Sequence, residues 1–176
     1  MNDQRSPVLY VIVTGATPAN EVGELVAYAQ ADGWDVCVIA SPNGYRFIDA
    51  DALAALTGHP VRSQFKEPGT LDVLPPPDAV IAAPITANSL AKWSLGIADT
   101  LPVGMLVEAV GRGLPVVAVP YAKPELLRFP ALRDAVGKLS EWGVTVVDSG
   151  DAEPDTVGWG TAWKALLAHP ALSSGK

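Results

Sequence analysis

Three short segments of the chain combine glycine, hydroxyl and amide residues in the way that anion-binding loops do. Thr14-Gly15-Ala16-Thr17-Pro18 follows an apolar run and precedes a helical pattern. Gly15 permits a tight turn and close approach of backbone to a ligand. Thr17 is placed as a helix N-cap and Pro18 as the first helical residue, leaving N–H groups directed at an anion. A plain helix start has the same composition, and the G-x-G-x-x-G fingerprint of dinucleotide sites is absent because its second and third glycines are missing. The second segment is Ser41-Pro42-Asn43-Gly44, where a classical NAD site would carry an acid for the ribose and this chain carries Ser41. A hydroxyl followed by an Asn-Gly turn suits a phosphate, or simply reverses the chain. The third, Ala83-Pro84-Ile85-Thr86-Ala87-Asn88-Ser89-Leu90-Ala91-Lys92, ends an apolar run in Pro84 and continues with Thr86, Asn88 and Ser89 into a helix expected to begin at Ser89.

The elements that must position these segments follow from hydropathy. Five apolar runs rich in β-branched residues, at Val8–Val13, Asp35–Ala40, 79–83, 115–119 and 144–147, lack polar interruptions, as central strands covered on both faces do. Helical spacing fills the intervals 19–31, 45–56, 89–98 with 103–111, and 125–142. Five βα units in series predict an α/β fold: a Rossmann-like three-layer αβα sandwich around a parallel sheet of about five or six strands with right-handed crossovers. In such sheets ligands bind beyond the carboxyl ends of the strands, where all three segments fall. The stretch 63–77, ending in Pro75-Pro76-Pro77, reads as an ordered loop because consecutive prolines cannot donate to a helix or a sheet ladder. After it, the tail holds Asp151, Glu153 and Asp155 and a helix over 157–168, whose Trp159 and Trp163 form a packing stripe or cover a subunit contact. The whole chain, 1–176, reads as a single domain with its core over 8–147 and a helical tail over 150–170.

Composition narrows the partners. Twelve basic against nineteen acidic residues give a net charge of −7, and the basic residues are scattered singly, which excludes a nucleic-acid backbone as the main partner. No apolar run approaches the roughly 20 residues that span a bilayer, so no membrane partner is expected. Residues 1–7 lack the pattern of a secretory signal. The single Cys37, inside Val36-Cys37-Val38-Ile39, packs as a small hydrophobe rather than serving as a nucleophile, and a lone thiol suits a reducing, cytoplasmic location.

The third segment also carries a longer pattern. Ala83-Pro84-x-Thr86-Ala87-Asn88-Ser89, then Ala91-Lys92, then Gly96-Ile97-Ala98-Asp99-x-Leu101 resembles, in register, the hallmark of the flavoprotein superfamily of cysteine decarboxylases, which includes phosphopantothenoylcysteine decarboxylase and the lantibiotic peptide decarboxylases. The resemblance covers about residues 8–147 and takes in the Gly15-Ala16 turn, the Ser41 to Phe47 segment, Leu56-Thr57-Gly58-His59-Pro60-Val61, and Gly143-Val144. It implies non-covalently held FMN, with its phosphate on Gly15, Ala16, Thr17 and Ser41 and the Thr86 and Ser89 hydroxyls. Asn43 belongs to the same site, and backbone around Pro84, Thr86, Ala87 and Asn88 would lie along the isoalloxazine edge. It also implies a homo-oligomer, a trimer or a multiple of trimers, with the flavin near a subunit contact.

In that superfamily the flavin oxidises a cysteine thiol to a thioaldehyde, and the neighbouring carboxylate then leaves. Two further features serve the reaction, and the chain departs from both. The His expected shortly before the third strand falls near Thr70, within Glu67-Pro68-Gly69-Thr70-Leu71-Asp72. His59 lies too early and reads as a loop residue, and His169 as tail surface. The Pro-x-Met-Asn loop after the fourth strand reads Pro120-Tyr121-Ala122-Lys123. An Asn amide both donates to and accepts from a carboxylate, whereas Lys123 only donates and brings a charge.

The expectation is therefore an FMN protein with altered or lost decarboxylase chemistry. Asn88 and Lys123 are its candidate catalytic residues, expected with Tyr121 to face the flavin and substrate, and Asp72 or Glu67 is a substitute base if the loop folds over the ring. Its substrate would be a small molecule or peptide. The alternatives are an active phosphopantothenoylcysteine or peptidyl-cysteine decarboxylase, a non-catalytic FMN-binding partner subunit, a prenyltransferase of the prenylated-flavin-synthase type, and a flavin-free nucleotide-binding Rossmann enzyme. No metal is expected.

Overall fold

A computed structural model describes residues 5–148 and 157–173. The expected acidic tail residues Asp151, Glu153 and Asp155 lie outside them. Five parallel strands, β1 (Val8–Val13), β2 (Asp35–Ala40), β3 (Ala79–Ile85), β4 (Val116–Pro120) and β5 (Thr145–Val146), form one sheet in the order β2-β1-β3-β4-β5. The order reverses between β1 and β3, so their crossovers leave on opposite faces and open a crevice at their carboxyl ends. Register pairs Val8 with Asp35 through Val13 with Ala40, and Leu9 with Ala79 through Ile12 with Ala82.

Strand alternation divides the apolar residues into two cores. Leu9, Val11 and Val13, with Val36, Val38 and Ile81, face α1 (Gly23–Ala31), α2 (Ala50–Thr57) and α7 (Trp159–Leu167). Tyr10, Ile12, Cys37, Ile39, Val80 and Ala118 face α3 (Ala87–Ser94), α4 (Leu101–Gly111) and α6 (Pro130–Glu141). Complete burial of side chains such as Leu9, Ile12, Ile81 and Leu106 contributes about 1.5–3 kcal/mol each, before conformational entropy is counted.

The helical intervals are more broken than their periodicity suggests. The first divides into a 3-10 turn at Thr17–Glu21 and α1, and the second into a 3-10 turn at Gly44–Phe47 and α2, capped by the Asp49 carboxylate accepting from Ala52 N–H. Interval 125–142 divides into α5 (Pro124–Leu127) and α6 because Pro130 excludes Phe129 from helical geometry. α3 stops at Ser94, and Gly96 takes the left-handed conformation (φ 69) that turns the chain toward α4. A short α8 (Pro170–Ser173) follows α7. β3 and β4 extend to Ile85 and Pro120, beyond the expected ends, and β5 is shorter than expected. Among the described residues no helix is long and apolar enough to cross a membrane.

Trp159 and Trp163 are buried within the chain, which corrects the subunit-contact alternative: Trp163 Nε1 donates to Asp32 (2.7 Å) and its ring meets Trp34 edge-on at 5.6 Å. His169 is also buried, contrary to its reading as tail surface. Its ring lies 3.0 Å from the Gly143 carbonyl through Nε2, and Nδ1 accepts from Ala171 N–H.

Cys37 is fully buried, and burial, followed by the charges of Asp35 and Asp72, pushes its thiol up to about 12. A thiol so protonated and enclosed should resist a disulfide reagent in native buffer and react once the chain is unfolded in denaturant. Rapid labelling of the folded protein would contradict its place in the sheet.

Candidate functional site

The crevice between β1 and β3 is a cleft of about 430 Å³, lined by Gly15, Ser41, Pro42, Asn43, Thr86, Asn88, Ser89, Lys92, Thr100 and Val103. All three polar segments singled out in the sequence contribute to it. Thr14, the last residue before the first loop, ties them together. Its buried hydroxyl donates to the Pro84 carbonyl (3.0 Å) and accepts from Thr86 N–H (2.8 Å), while its own N–H also donates to Pro84 O (3.1 Å). This stitch fixes the start of α3 beside the end of β1.

The β2 loop is held by its own hydroxyl. Ser41 Oγ accepts from Gly44 N–H at 2.9 Å, and Ser41 N–H donates to Val13 O. Gly44 is so close to β1 that a Cβ on it would lie 2.8 Å from the Val13 carbonyl oxygen and 3.0 Å from Thr14 C. A Cβ on Gly15 would lie 3.0 Å from Asn43 Cβ, so the two loops nearly touch across the floor.

On the facing side, α3 begins at Ala87, with Thr86 as N-cap, rather than at Ser89. Thr86 Oγ1 accepts from Ser89 N–H (3.4 Å) and donates to Ser89 Oγ (3.2 Å), so the Ser89 hydroxyl keeps its own proton to give. At the first loop the helical turn starts one residue earlier than expected. Ala16 is the N-cap, Thr17 the first helical residue and Pro18 the second, because Ala16 has extended geometry and its carbonyl accepts from Ala19 N–H. Ala16, Thr17, Pro84 and Ala87 belong to these segments but are not among the lining residues.

The candidate catalytic residues separate. Asn88 lines the cleft, whereas Lys123 is exposed at the start of α5 and does not. Tyr121 is partly buried, joined through its N–H to Ile85 O (2.9 Å), and also off the lining. Thr70 and Glu67 are exposed on the 63–77 loop, with Thr70 Oγ1 donating to Glu67 O. Asp72 is held by Arg62 (2.8 and 2.9 Å) and by Leu74 N–H, and borders a different cavity of about 260 Å³ with Tyr10, Glu108 and Arg112. Burial pushes its carboxyl up, but the Leu74 N–H and the Arg62 guanidinium outweigh that and hold it below the usual range, which makes a poor base. His59 pairs with Asp35 (2.8 Å) at the amino end of β2, away from the cleft.

Thr100, a lining residue, escaped the sequence reading of the site, and three residues of the quoted segments were given no role there: Thr14, Gly44 and Lys92, whose Nζ lies 2.6 Å from Asp99 Oδ2. Lys92 stood in the quoted motif, and its spacing of four from Asn88, which puts both on one helix face, was the available signal.

The chain matches the family described as Flavoprotein over residues 1–166. It is 29% identical over 144 residues to the coenzyme A biosynthesis bifunctional protein CoaBC of Mycolicibacterium smegmatis, covering 80% of this chain and 34% of that protein. The chain thus spans about a third of the length of the curated relatives it matches. Among solved structures, it superposes on the FMN-dependent cysteine decarboxylase SpaF with a TM-score of 0.78 at 22% identity, covering 93% of this chain and 96% of the other. MrsD from Bacillus sp. HIL-Y85/54728 gives 0.77 at 16% identity, with 92% and 95% covered. These likenesses show that the fold is shared with both structures, and the match along nearly the whole sequence assigns membership: the chain belongs to the flavoprotein family.

Proposed function

We propose that the chain holds FMN non-covalently in the β1/β3 cleft and that cysteine decarboxylation on it is altered or lost. The observation that carries the first half is convergence: three segments far apart in sequence place hydroxyls, two amides, an ammonium and a closely approached glycine around one cleft at the topological switch point. Its volume falls in the usual range for small-molecule sites, roughly 300–1,000 Å³. The residues fit a phosphorylated aromatic ligand. Gly15, Ser41, Thr86 and Ser89 would receive the phosphate together with the first N–H groups of α3, while Pro42 and Val103 offer apolar wall. When bound, FMN would supply a two-electron acceptor for a thiol-bearing substrate. Asn88 would orient a substrate carboxylate or the ligand edge by donating and accepting through its amide.

The second half rests on what is missing from the cleft wall. Among the described residues no imidazole or carboxylate lines it, and Lys123, which stands where the motif has its Asn, is not a lining residue. Loss of a positioned acid or base costs about 10²–10⁴-fold in rate. The exposed Leu95 and Ile97, in the segment that joins Lys92 to Thr100, support a homo-oligomer, a trimer or multiple of trimers, with a second copy near the cleft. The single buried thiol supports a cytoplasmic location.

The test is to purify the protein natively, release and identify any yellow chromophore, and assay CO₂ from phosphopantothenoylcysteine and a cysteine-terminated peptide. The expected outcome is FMN with little or no CO₂. A colourless protein that leaves added FMN fluorescence unchanged would overturn the flavin assignment, and rapid CO₂ release would overturn the loss of chemistry.

A further inference from the structure

Of the described side chains that line the cleft, only Lys92 carries a formal charge. It projects from α3 one turn beyond Asn88, and its ammonium is paired with Asp99 at 2.6 Å. Asp99 lies in the connection between α3 and α4, about half exposed, and is not itself a lining residue. The pair makes this wall electrically neutral before a ligand arrives. An entering dianion would be attracted by Lys92, which lines the cleft, and repelled by Asp99, which does not. On a chain of net charge −7, one local cation at an anion site carries disproportionate weight.

We propose that the Lys92–Asp99 pair sets the preference of the cleft for a ligand that ends in a phosphate dianion over the same ligand without phosphate. Lys92 supplies attraction; Asp99 orients the ammonium and attenuates its field. This rests on the flavin reading above and adds to it the residues that decide phosphate selectivity. Partly exposed ion pairs contribute little to stability, so both partners can be replaced without unfolding the chain. The two roles also predict opposite signs. Removing Lys92 leaves an uncompensated carboxylate near the phosphate, whereas removing Asp99 leaves an uncompensated ammonium. A pair that served only to fasten α3 to its following loop would shift both variants in the same direction.

The experiment measures dissociation constants for FMN and for riboflavin, by quenching of flavin fluorescence, in wild type, Lys92→Gln and Asp99→Asn at low and high ionic strength, with melting temperature as the folding control. Lys92→Gln is expected to weaken FMN about tenfold while leaving riboflavin within about twofold, and Asp99→Asn to strengthen FMN by roughly threefold. Both differences should shrink at high salt. Lys92→Arg should retain the preference. The proposal is overturned if both variants weaken FMN, if riboflavin shifts as much as FMN, or if neither variant changes the ratio. A wild type that binds neither flavin overturns the flavin reading itself, and this proposal with it; a wild type that binds FMN with same-sign shifts overturns the proposal alone.

Discussion

Replacing Gly44 with alanine is expected to lower the melting temperature by roughly 4–10 °C and to weaken FMN binding at least about tenfold. The cause is steric and specific. A Cβ there would press on the Val13 carbonyl at 2.8 Å and on Thr14 C and Ser41 Oγ at 3.0 Å, and the first two are backbone atoms of β1 and its loop that cannot rotate away. The β2 loop would have to lift off β1, taking Ser41 and Asn43 with it and widening the cleft floor. Overpacking of this kind costs about 1–3 kcal/mol. Gly137, in the middle of α6 with nothing within 4 Å of its added Cβ, is the matched control. Gly137→Ala should stabilise by about 0.5–1 kcal/mol, because alanine has less backbone entropy to lose in a helix. Thermal melts and flavin titrations of the two variants check the contrast, and equal behaviour would contradict the close approach of the loops.

The second large effect is expected at Thr14. Thr14→Val keeps the shape of the side chain but removes the oxygen that accepts Thr86 N–H at 2.8 Å. Pro84 O retains the Thr14 N–H as a donor, so the loss falls on Thr86 N–H, left without its acceptor in a partly buried position. An unsatisfied group of this kind costs about 1–3 kcal/mol. Thr86 is the N-cap of α3, and the same change should loosen Asn88 and Ser89 and weaken FMN more than its effect on stability alone would suggest. Thr14→Ser, which restores the hydroxyl, should recover most of both losses. Denaturant melts with flavin titration on the three proteins make the comparison; a Val variant as stable and as retentive as wild type would contradict the stitch.

How much of this was legible in the sequence depends on the range of the interaction involved. The strands were readable because residues on both faces of the sheet are buried, Leu9, Val11 and Ile81 on one and Ile12, Val80 and Val116 on the other, so their runs carry no polar interruption. The three loops were readable because hydroxyls, glycine and proline cluster directly after those runs. Helix ends were less so. Pro130 lies inside a continuous helical pattern, and only its effect on Phe129 separates α5 from α6.

Least legible were features made by residues distant in sequence. Nothing local marks Thr14 as the partner of Pro84 and Thr86, or Gly44 as a neighbour of Val13. His169 looks like a tail residue until the fold brings it to the Gly143 carbonyl. Asp72 was readable as a spare carboxylate, but its pairing with Arg62 depends on how the long loop folds. Lys123 was placed by counting along a motif, which carries position but not the direction in which α5 leaves the sheet.

The central claim, an FMN site between β1 and β3, is tested most directly by titrating FMN into the folded protein and following flavin fluorescence, with Gly15→Leu as the variant that fills the floor beside Asn43. The account predicts saturable, stoichiometric quenching by wild type and its loss in the variant, with the fold retained by circular dichroism. No quenching by folded wild type, or equal quenching by both proteins, would contradict it.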